Sequence, residues 1–175
     1  MCIRDSSYTG GFSVFAAAGG ATKTTSVDLA NRSLSKTKEQ FSVNHIDITN
    51  QDIIVEDVFK YFKYAVKKEL LFDVVVLDPP SFARSKKFTF SAAKDYTNLL
   101  KEAIAITQSK GIIVASTNCS TFNMKKFKSF VDTAFKQMGS SYTILEEYSL
   151  PKDFKTTMHF KEGNYLKVLF IKKVD

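Results

Sequence analysis

Long apolar runs are missing from this chain of 175 residues. No stretch approaches the roughly 18 apolar residues that a membrane-spanning helix needs. The N-terminus also lacks the apolar core of a secretory signal. Cysteine is scarce: Cys2 and Cys119 are the two in the chain, which leaves no disulfide framework and no metal-binding spacing. A reducing compartment, the cytoplasm, is therefore expected, with no metal and no membrane partner, and with Cys119 as a free thiol. Glycine and proline are few, 7 and 3, so no flexible linker divides the chain. Internal repeats and low-complexity tracts are absent too, and a single domain is expected.

What is present suits a globular fold. Hydrophobic residues make up 44% and charged residues 25%, enough to bury a real core. Net charge is +7, from 25 Lys+Arg against 18 Asp+Glu, which favours a polyanionic partner without requiring one. The first six residues read as foreign. Met1-Cys2-Ile3-Arg4-Asp5-Ser6 back-translates to ATG TGT ATA AGA GAC AG plus one base, a string that resembles a transposase adaptor used in library preparation. Residues 1–6 are expected to be adaptor-derived and non-native, with the authentic sequence starting near Ser7.

Along the chain, strand and helix patterns alternate. Phe12–Ala18 reads as a helix entered from a tight glycine turn. Thr24–Val27 is β-branched and ends at Asp28, and Asn31–Asn44 has Leu34 and Phe41 at helical spacing. A short strand, Ile53–Val55, ends at Glu56-Asp57. The helix Val58–Leu70 follows, expected to bury Phe59, Phe62 and Val66 and to turn Lys60, Lys63 and Lys67 to solvent. Phe72–Leu77 carries Val74-Val75-Val76, the continuous run of a strand buried on both faces of a parallel sheet. It ends at Asp78-Pro79-Pro80, where the prolines forbid ladder pairing. A polar, lysine-bearing loop to about Ala93 comes next, then a helix over Lys94–Thr107 and a buried strand over Gly111–Ser116. The helix Asn123–Met138, with Phe127, Phe130, Val131 and Phe135 inward, precedes strands over Tyr142–Leu150 and Tyr165–Lys172. The pattern is α/β, a mostly parallel sheet with helices on both faces and an antiparallel C-terminal strand. Right-handed crossovers put the helix-preceding strand ends along one rim, where ligands bind.

Three groups of residues at such ends carry chemistry. In Ser7-Tyr8-Thr9-Gly10-Gly11-Phe12, paired glycines before a helix let backbone approach a ligand and present helix-start N–H groups. Asp28 follows Gly11 by 17 residues, at the place from which an acidic side chain accepts from ribose hydroxyls. Asp57, one strand further, can accept from an adenine amino group. Either acid alone reads equally well as a helix cap; together the three outline a nucleoside pocket. The dinucleotide pattern G-x-G-x-x-G is absent, which disfavours a nicotinamide. The second group is Asp78-Pro79-Pro80-Ser81-Phe82. Its prolines fix the backbone beyond the strand end, leaving outward acceptors and a carboxylate that suit a base edge, with Phe82 available to stack. The third is Thr117-Asn118-Cys119-Ser120. A cysteine is usually a small buried hydrophobe, but this one stands at the rim and should face the Asp78 loop.

These segments, with Val27-Asp28, Asp57-Val58-Phe59 and Glu162-Gly163-Asn164-Tyr165-Leu166-Lys167, resemble successive motifs of one family. It is the bacterial class I ribosomal RNA methyltransferases that are similar to the large-subunit 23S cytosine-5 enzyme. The resemblance runs from Ser7 to the C-terminus. It implies a Rossmann-like, seven-stranded sheet and S-adenosylmethionine as cofactor, held by Tyr8, Thr9, Gly10, Gly11, Phe12, Asp28, Asp57, Val58 and Asp78. Pro79, Pro80 and Phe82 would hold the base, and RNA, ribosomal RNA in particular, would be the partner. Residues 7–175 would then be a partial catalytic domain. The family's first strand, central in the sheet, is expected to be missing or replaced by residues 1–6, and a fragment short of those ladder partners is expected to be poorly stable.

The resemblance also assigns roles to Cys119 and Asp78. Carbon 5 of cytosine is a poor nucleophile. A thiolate adding to carbon 6 turns the ring into an enamine able to take a sulfonium methyl. Loss of the carbon-5 proton and elimination of the thiol complete the reaction. Cys119 is the candidate nucleophile, helped by a basic microenvironment, and Asp78 binds the base edge. A related guanine-N7 branch shares D-P-P-x-F but lacks the cysteine. Two alternatives stay open: a nucleobase N-methyltransferase, which needs only positioning, and a non-catalytic RNA- or cofactor-binding remnant.

Overall fold

The structure, a computed structural model, describes residues 2–5, 9–84, 89–157 and 159–175, with backbone only for 2–5 and 161. The elements run β1 (Cys2–Asp5), α1 (Gly11–Ala18), β2 (Thr24–Asp28), α2 (Asn31–Val43), β3 (Gln51–Val55), α3 (Val58–Lys67) and β4 (Phe72–Leu77). After them come β5 (Phe82–Arg84), β6 (Thr89–Ser91), α4 (Ala92–Ile106), β7 (Thr107–Thr117), α5 (Met124–Met138), β8 (Tyr142–Tyr148) and β9 (Lys167–Lys173). One seven-stranded sheet has the order β3-β2-β1-β4-β7-β9-β8. Its strands are parallel from β3 to β7, and β9 runs antiparallel to both β7 and β8. The antiparallel strand is therefore interior, and β8 forms the edge. Among the described residues no helix is long and apolar enough to cross a membrane.

The central place expected to be vacant or taken over is filled by Cys2–Asp5. Its ladder pairs Cys2 with Thr24 and Val74, and Asp5 with Val27 and Leu77. Among the described residues, β2 and β4 are joined in the ladder through these four.

Helices α1 and α2 pack together, and α3, α4 and α5 form a second row; right-handed crossovers put the two groups on opposite faces. The main core lies under the second row. It contains Phe62, Phe72, Leu77, Leu99, Leu100, Ile104, Ile113, Phe127, Phe135 and Ile171. Each such side chain contributes about 1.5–3 kcal/mol relative to exposure. Tyr96 is fully buried among them. Its ring meets Phe127 edge-on at 4.9 Å, and its hydroxyl donates to the Ser116 carbonyl at 2.6 Å, which ties α4 to the C-terminal end of β7.

Two expectations fail for identifiable reasons. On α3 the buried residues are Tyr61, Phe62 and Ala65, while Val66 is 49% exposed. The inward stripe follows 58, 61, 62 and 65, and a tyrosine and an alanine are weaker apolar markers than valine. The stretch after Pro80 is not simply a loop to Ala93. β5 and β6 pair antiparallel, Phe82 with Ser91 and Arg84 with Thr89, and α4 begins at Ala92. Three-residue strands carry too little alternation to read, and the burial of Phe90 against Phe59 at 6.5 Å is a tertiary contact.

Deleting Met1–Asp5 should abolish the cooperative thermal transition seen by circular dichroism, because β2 and β4 lose their shared partner; an unaltered midpoint would show that β1 adds nothing. Tyr96→Phe should lower stability by about 1–2 kcal/mol in chemical denaturation, through loss of a buried hydrogen bond.

Candidate active site

Strand register levels the ends that carry the motif residues. Val27, Asp5 and Leu77 are partners across β2, β1 and β4, and Leu77 pairs with Ala115 on β7. Asp28 and Asp78, each one residue further, flank β1 at the same rim, about 10 Å apart as two inter-strand spacings require. Asp28 pairs with Val55, and the Glu56 amide donates to the Asp28 carbonyl at 3.0 Å, which brings Asp57 to the same rim. On the other side Thr117 pairs with Lys167. Cys119 and the start of β9 therefore share the rim with Asp78.

The glycine turn is built for close approach. Gly10 caps α1 in the left-handed region, φ 76°. A Cβ there would stand 2.4 Å from Thr37 Cγ2 of α2, so the turn and α2 touch at a point that only glycine allows. A Cβ on Gly11 would meet nothing within 4 Å, which leaves open space beside the helix start. α1 has no side-chain cap and no acid in its first turn, so its N-terminal amides present a positive end. Beneath the turn, Ser13 and Ser26 share a buried hydroxyl hydrogen bond of 2.7 Å, fixing α1 on β2. Phe12 is 42% exposed, Thr9 is partly buried, and Tyr8 lies outside the described residues.

The acids are held by local bonds. Asp28 is partly buried and its Oδ1 accepts from the Ala30 amide at 2.7 Å. Asp57 caps α3, with Oδ1 accepting from the Lys60 amide at 3.2 Å, so the helix-cap reading holds for this residue. Glu56 accepts from the Asp57 amide and from Lys60 Nζ, at 2.9 and 3.1 Å. These two bonds, the amide first, lower its carboxyl below the usual range. Val58 opens α3 and packs partly against the core.

The Asp78 loop and the Cys119 turn are joined directly. Ser81 Oγ donates to Asn118 Oδ1 at 2.6 Å, a link between a half-buried and an exposed side chain 37 positions apart. Asp78 is half-buried, Pro79 is buried and Pro80 is exposed. Phe82 turns outward on β5, 62% exposed, with its face open rather than packed. Cys119 is buried. Its amide donates to Thr117 Oγ1 at 3.2 Å and its Sγ meets Thr121 Oγ1 at 3.1 Å. Sequence reasoning gave no role to Lys167, although it closes the Glu162–Lys167 motif; a lysine inside a strand is not flagged by composition. Nor did it find the Ser81–Asn118 bond, because both residues were read only as neighbours of Asp78 and Cys119.

Chemically, the rim combines an open glycine turn at a helix start, carboxylates at two adjacent strand ends and a proline-fixed acceptor loop tied to a thiol. Among proteins of known kind, the S-adenosylmethionine-dependent methyltransferase family matches residues 2–157. The chain belongs to this family, and S-adenosylmethionine is its cofactor. Over 167 residues it is 68% identical to the Bacillus subtilis (strain 168) protein provisionally named ribosomal RNA large subunit methyltransferase YwbD, covering 95% of this chain and 42% of that protein. It is 33% identical to ribosomal RNA large subunit methyltransferase I of Aeromonas salmonicida (strain A449), covering 95% and 42%. The chain thus spans about two fifths of the length of these relatives. A provisionally assigned methyltransferase, SMU.776, solved in complex with SAH, superposes with a TM-score of 0.92 at 43% identity, covering 98% of this chain and 44% of that one. The Rossmann-like class I fold expected from the sequence is the fold observed.

The glycine turn offers a direct test. Gly10→Ala forces a left-handed alanine against Thr37 and should cost about 2–4 kcal/mol of stability, the sum of the conformational and overpacking penalties. Adding Thr37→Ala, which removes the atoms it strikes, should restore part of that loss in denaturant titration. No recovery would mean that the contact is not the cause.

Proposed function

We propose that the chain transfers a methyl group from S-adenosylmethionine to carbon 5 of a cytosine in ribosomal RNA, by way of a covalent adduct on Cys119. The names of the relatives support ribosomal RNA as substrate. The observation that carries the carbon-5 reading is the Ser81–Asn118 bond of 2.6 Å, because it holds the base-binding loop against the turn that bears the thiol.

The residues present fit the cofactor. Tyr8, Thr9, Gly10, Gly11 and Phe12 would hold its methionine part, and the open side of Gly11 leaves room for it. Asp28 would hold the ribose, Asp57 and Val58 the adenine, and Asp78 would border both cofactor and base. When bound, S-adenosylmethionine supplies an electrophilic methyl group. Pro79 and Pro80 fix the loop whose acceptors, with the Asp78 carboxylate, orient the base edge, and Phe82 stacks on an unpaired base. Cys119 adds as thiolate to carbon 6 and makes carbon 5 nucleophilic. After carbon 5 loses its proton, the carbon–sulfur bond breaks and the thiolate returns.

Net charge of +7 favours an RNA partner. So does the connection between β8 and β9, where Lys152, Phe154, Lys155 and Phe160 are exposed; aromatic and basic side chains together suit unstacked bases and phosphates. The cytoplasm, which keeps Cys119 reduced, is the setting that fits this chemistry. The burial of Cys119 and its contact with Thr121 favour one rival, a nitrogen methyltransferase in which the cysteine is structural.

RNA carrying 5-fluorocytosine separates the two readings, since its fluorine cannot leave as a proton does. With S-adenosylmethionine present, a denaturation-resistant protein–RNA adduct should accumulate, and Cys119→Ala should abolish both the adduct and methylation of ordinary RNA. Near-normal methylation by Cys119→Ala would transfer the assignment to nitrogen. Cofactor binding with no methylation by the unaltered protein would instead mark a non-catalytic remnant.

A further inference from the structure

Lys167 is the charged residue that the site chemistry has not used. It opens β9 opposite Thr117 and is only 4% exposed. An ammonium so placed is costly unless something offsets its lost hydration. Its Nζ donates to the Tyr165 carbonyl at 2.6 Å and stands 5.4 Å from the centre of the Phe122 ring, a cation–π distance. Among the described residues no carboxylate acts on it; the one side chain whose charge does so is Cys119.

The backbone explains this proximity. The Thr117–Lys167 pairing puts the lysine beside the end of β7. The Cys119 amide folds back onto Thr117 Oγ1, and Phe122 follows three residues later to cover the ammonium. The lysine therefore lies beside the turn that bears the thiol, with the Phe122 ring over its ammonium.

We propose that Lys167 activates Cys119 by accepting the thiol proton and holding the resulting thiolate as an ammonium–thiolate pair. The inference rests on the reading of Cys119 as nucleophile and names the group that activates it. In the step, the S–H bond breaks and an N–H bond forms on Nζ, so the pair keeps its one proton and no other acid or base is needed. Burial pushes the Lys167 ammonium below the usual lysine range, while a negative Cys119 acts in the opposite direction. Burial thus favours the neutral amine and the thiolate favours the ammonium. Lys167 is a positioning residue here, because it acts through Cys119 rather than on the base.

The experiment is alkylation of Cys119 by iodoacetamide in the full chain, followed by peptide mass spectrometry so that Cys2 does not contribute. Near neutral pH, Lys167→Met should slow modification of Cys119 roughly tenfold, the effect of about one unit in thiol ionisation. The difference should close at alkaline pH, where hydroxide removes the proton. A purely structural lysine predicts the reverse, since a loosened turn exposes the thiol and speeds its modification. Equal or faster alkylation in Lys167→Met overturns the proposal. If Lys167→Met does not fold, the ultraviolet thiolate absorbance of the unaltered chain near neutral pH, taken against Cys119→Ala, decides it. A thiolate signal is expected, and its absence overturns the proposal. Methylation by Cys119→Ala reports separately on the nucleophile, so failure of that reading is not confused with failure of this one.

Discussion

The parallel hydrogen-bond ladder through β2, β1, β4 and β7 is the constraint on which the rest depends. Register in a parallel sheet brings strand ends level, and here it brings Asp28, Asp78 and the turn after Thr117 to one rim. Each role at the site depends on that levelling. A slip of one residue in a strand would turn its side chains to the opposite face and carry its end away from its neighbours. The shortest part of the parallel ladder is β1, four residues that stand between the β2–β3 half and the β4–β7–β9–β8 half.

Around that rim, polar groups are held by short local bonds and then joined across the sheet by a few long-range ones. The Asp28 carboxylate is fixed by the Ala30 amide and that of Asp57 by the Lys60 amide. Such bonds orient a carboxylate at little entropic cost because the partners are already close in sequence. The longer links are Ser13–Ser26, Ser81–Asn118 and Tyr96–Ser116. They determine how the glycine turn, the proline loop and the cysteine turn sit relative to one another. Among the described residues Thr37 has a buried hydroxyl with no partner, and it is the residue that the Gly10 turn presses upon. An unsatisfied hydroxyl and a glycine-only contact at one point indicate that close approach of turn and helix outweighs the lost hydrogen bond.

Much of the fold was legible because its signals are local. The valine run of β4, the apolar stripes of α4 and α5, and the proline stop after Asp78 all follow from residues within one element. The strand-end acids and the glycine pair were legible for the same reason. Where the signal was short or chemically mixed, the reading failed: the β5–β6 hairpin has three residues on each side, and the buried face of α3 uses Tyr61 and Ala65 rather than Val66.

The chain by itself determined which residues stand at strand ends, since periodicity and breakers are written into consecutive positions. It also supplied the thiol, the acceptor loop and the glycine turn and placed them along one rim. Only the tertiary structure decided which side chains meet. Ser81 with Asn118, and Thr117 with Lys167, are pairs distant in sequence, and nothing in the pattern of either member specifies the other. Strand order and register make those choices, because the backbone ladder, and not the side-chain pattern along one element, sets the distance between two strand ends.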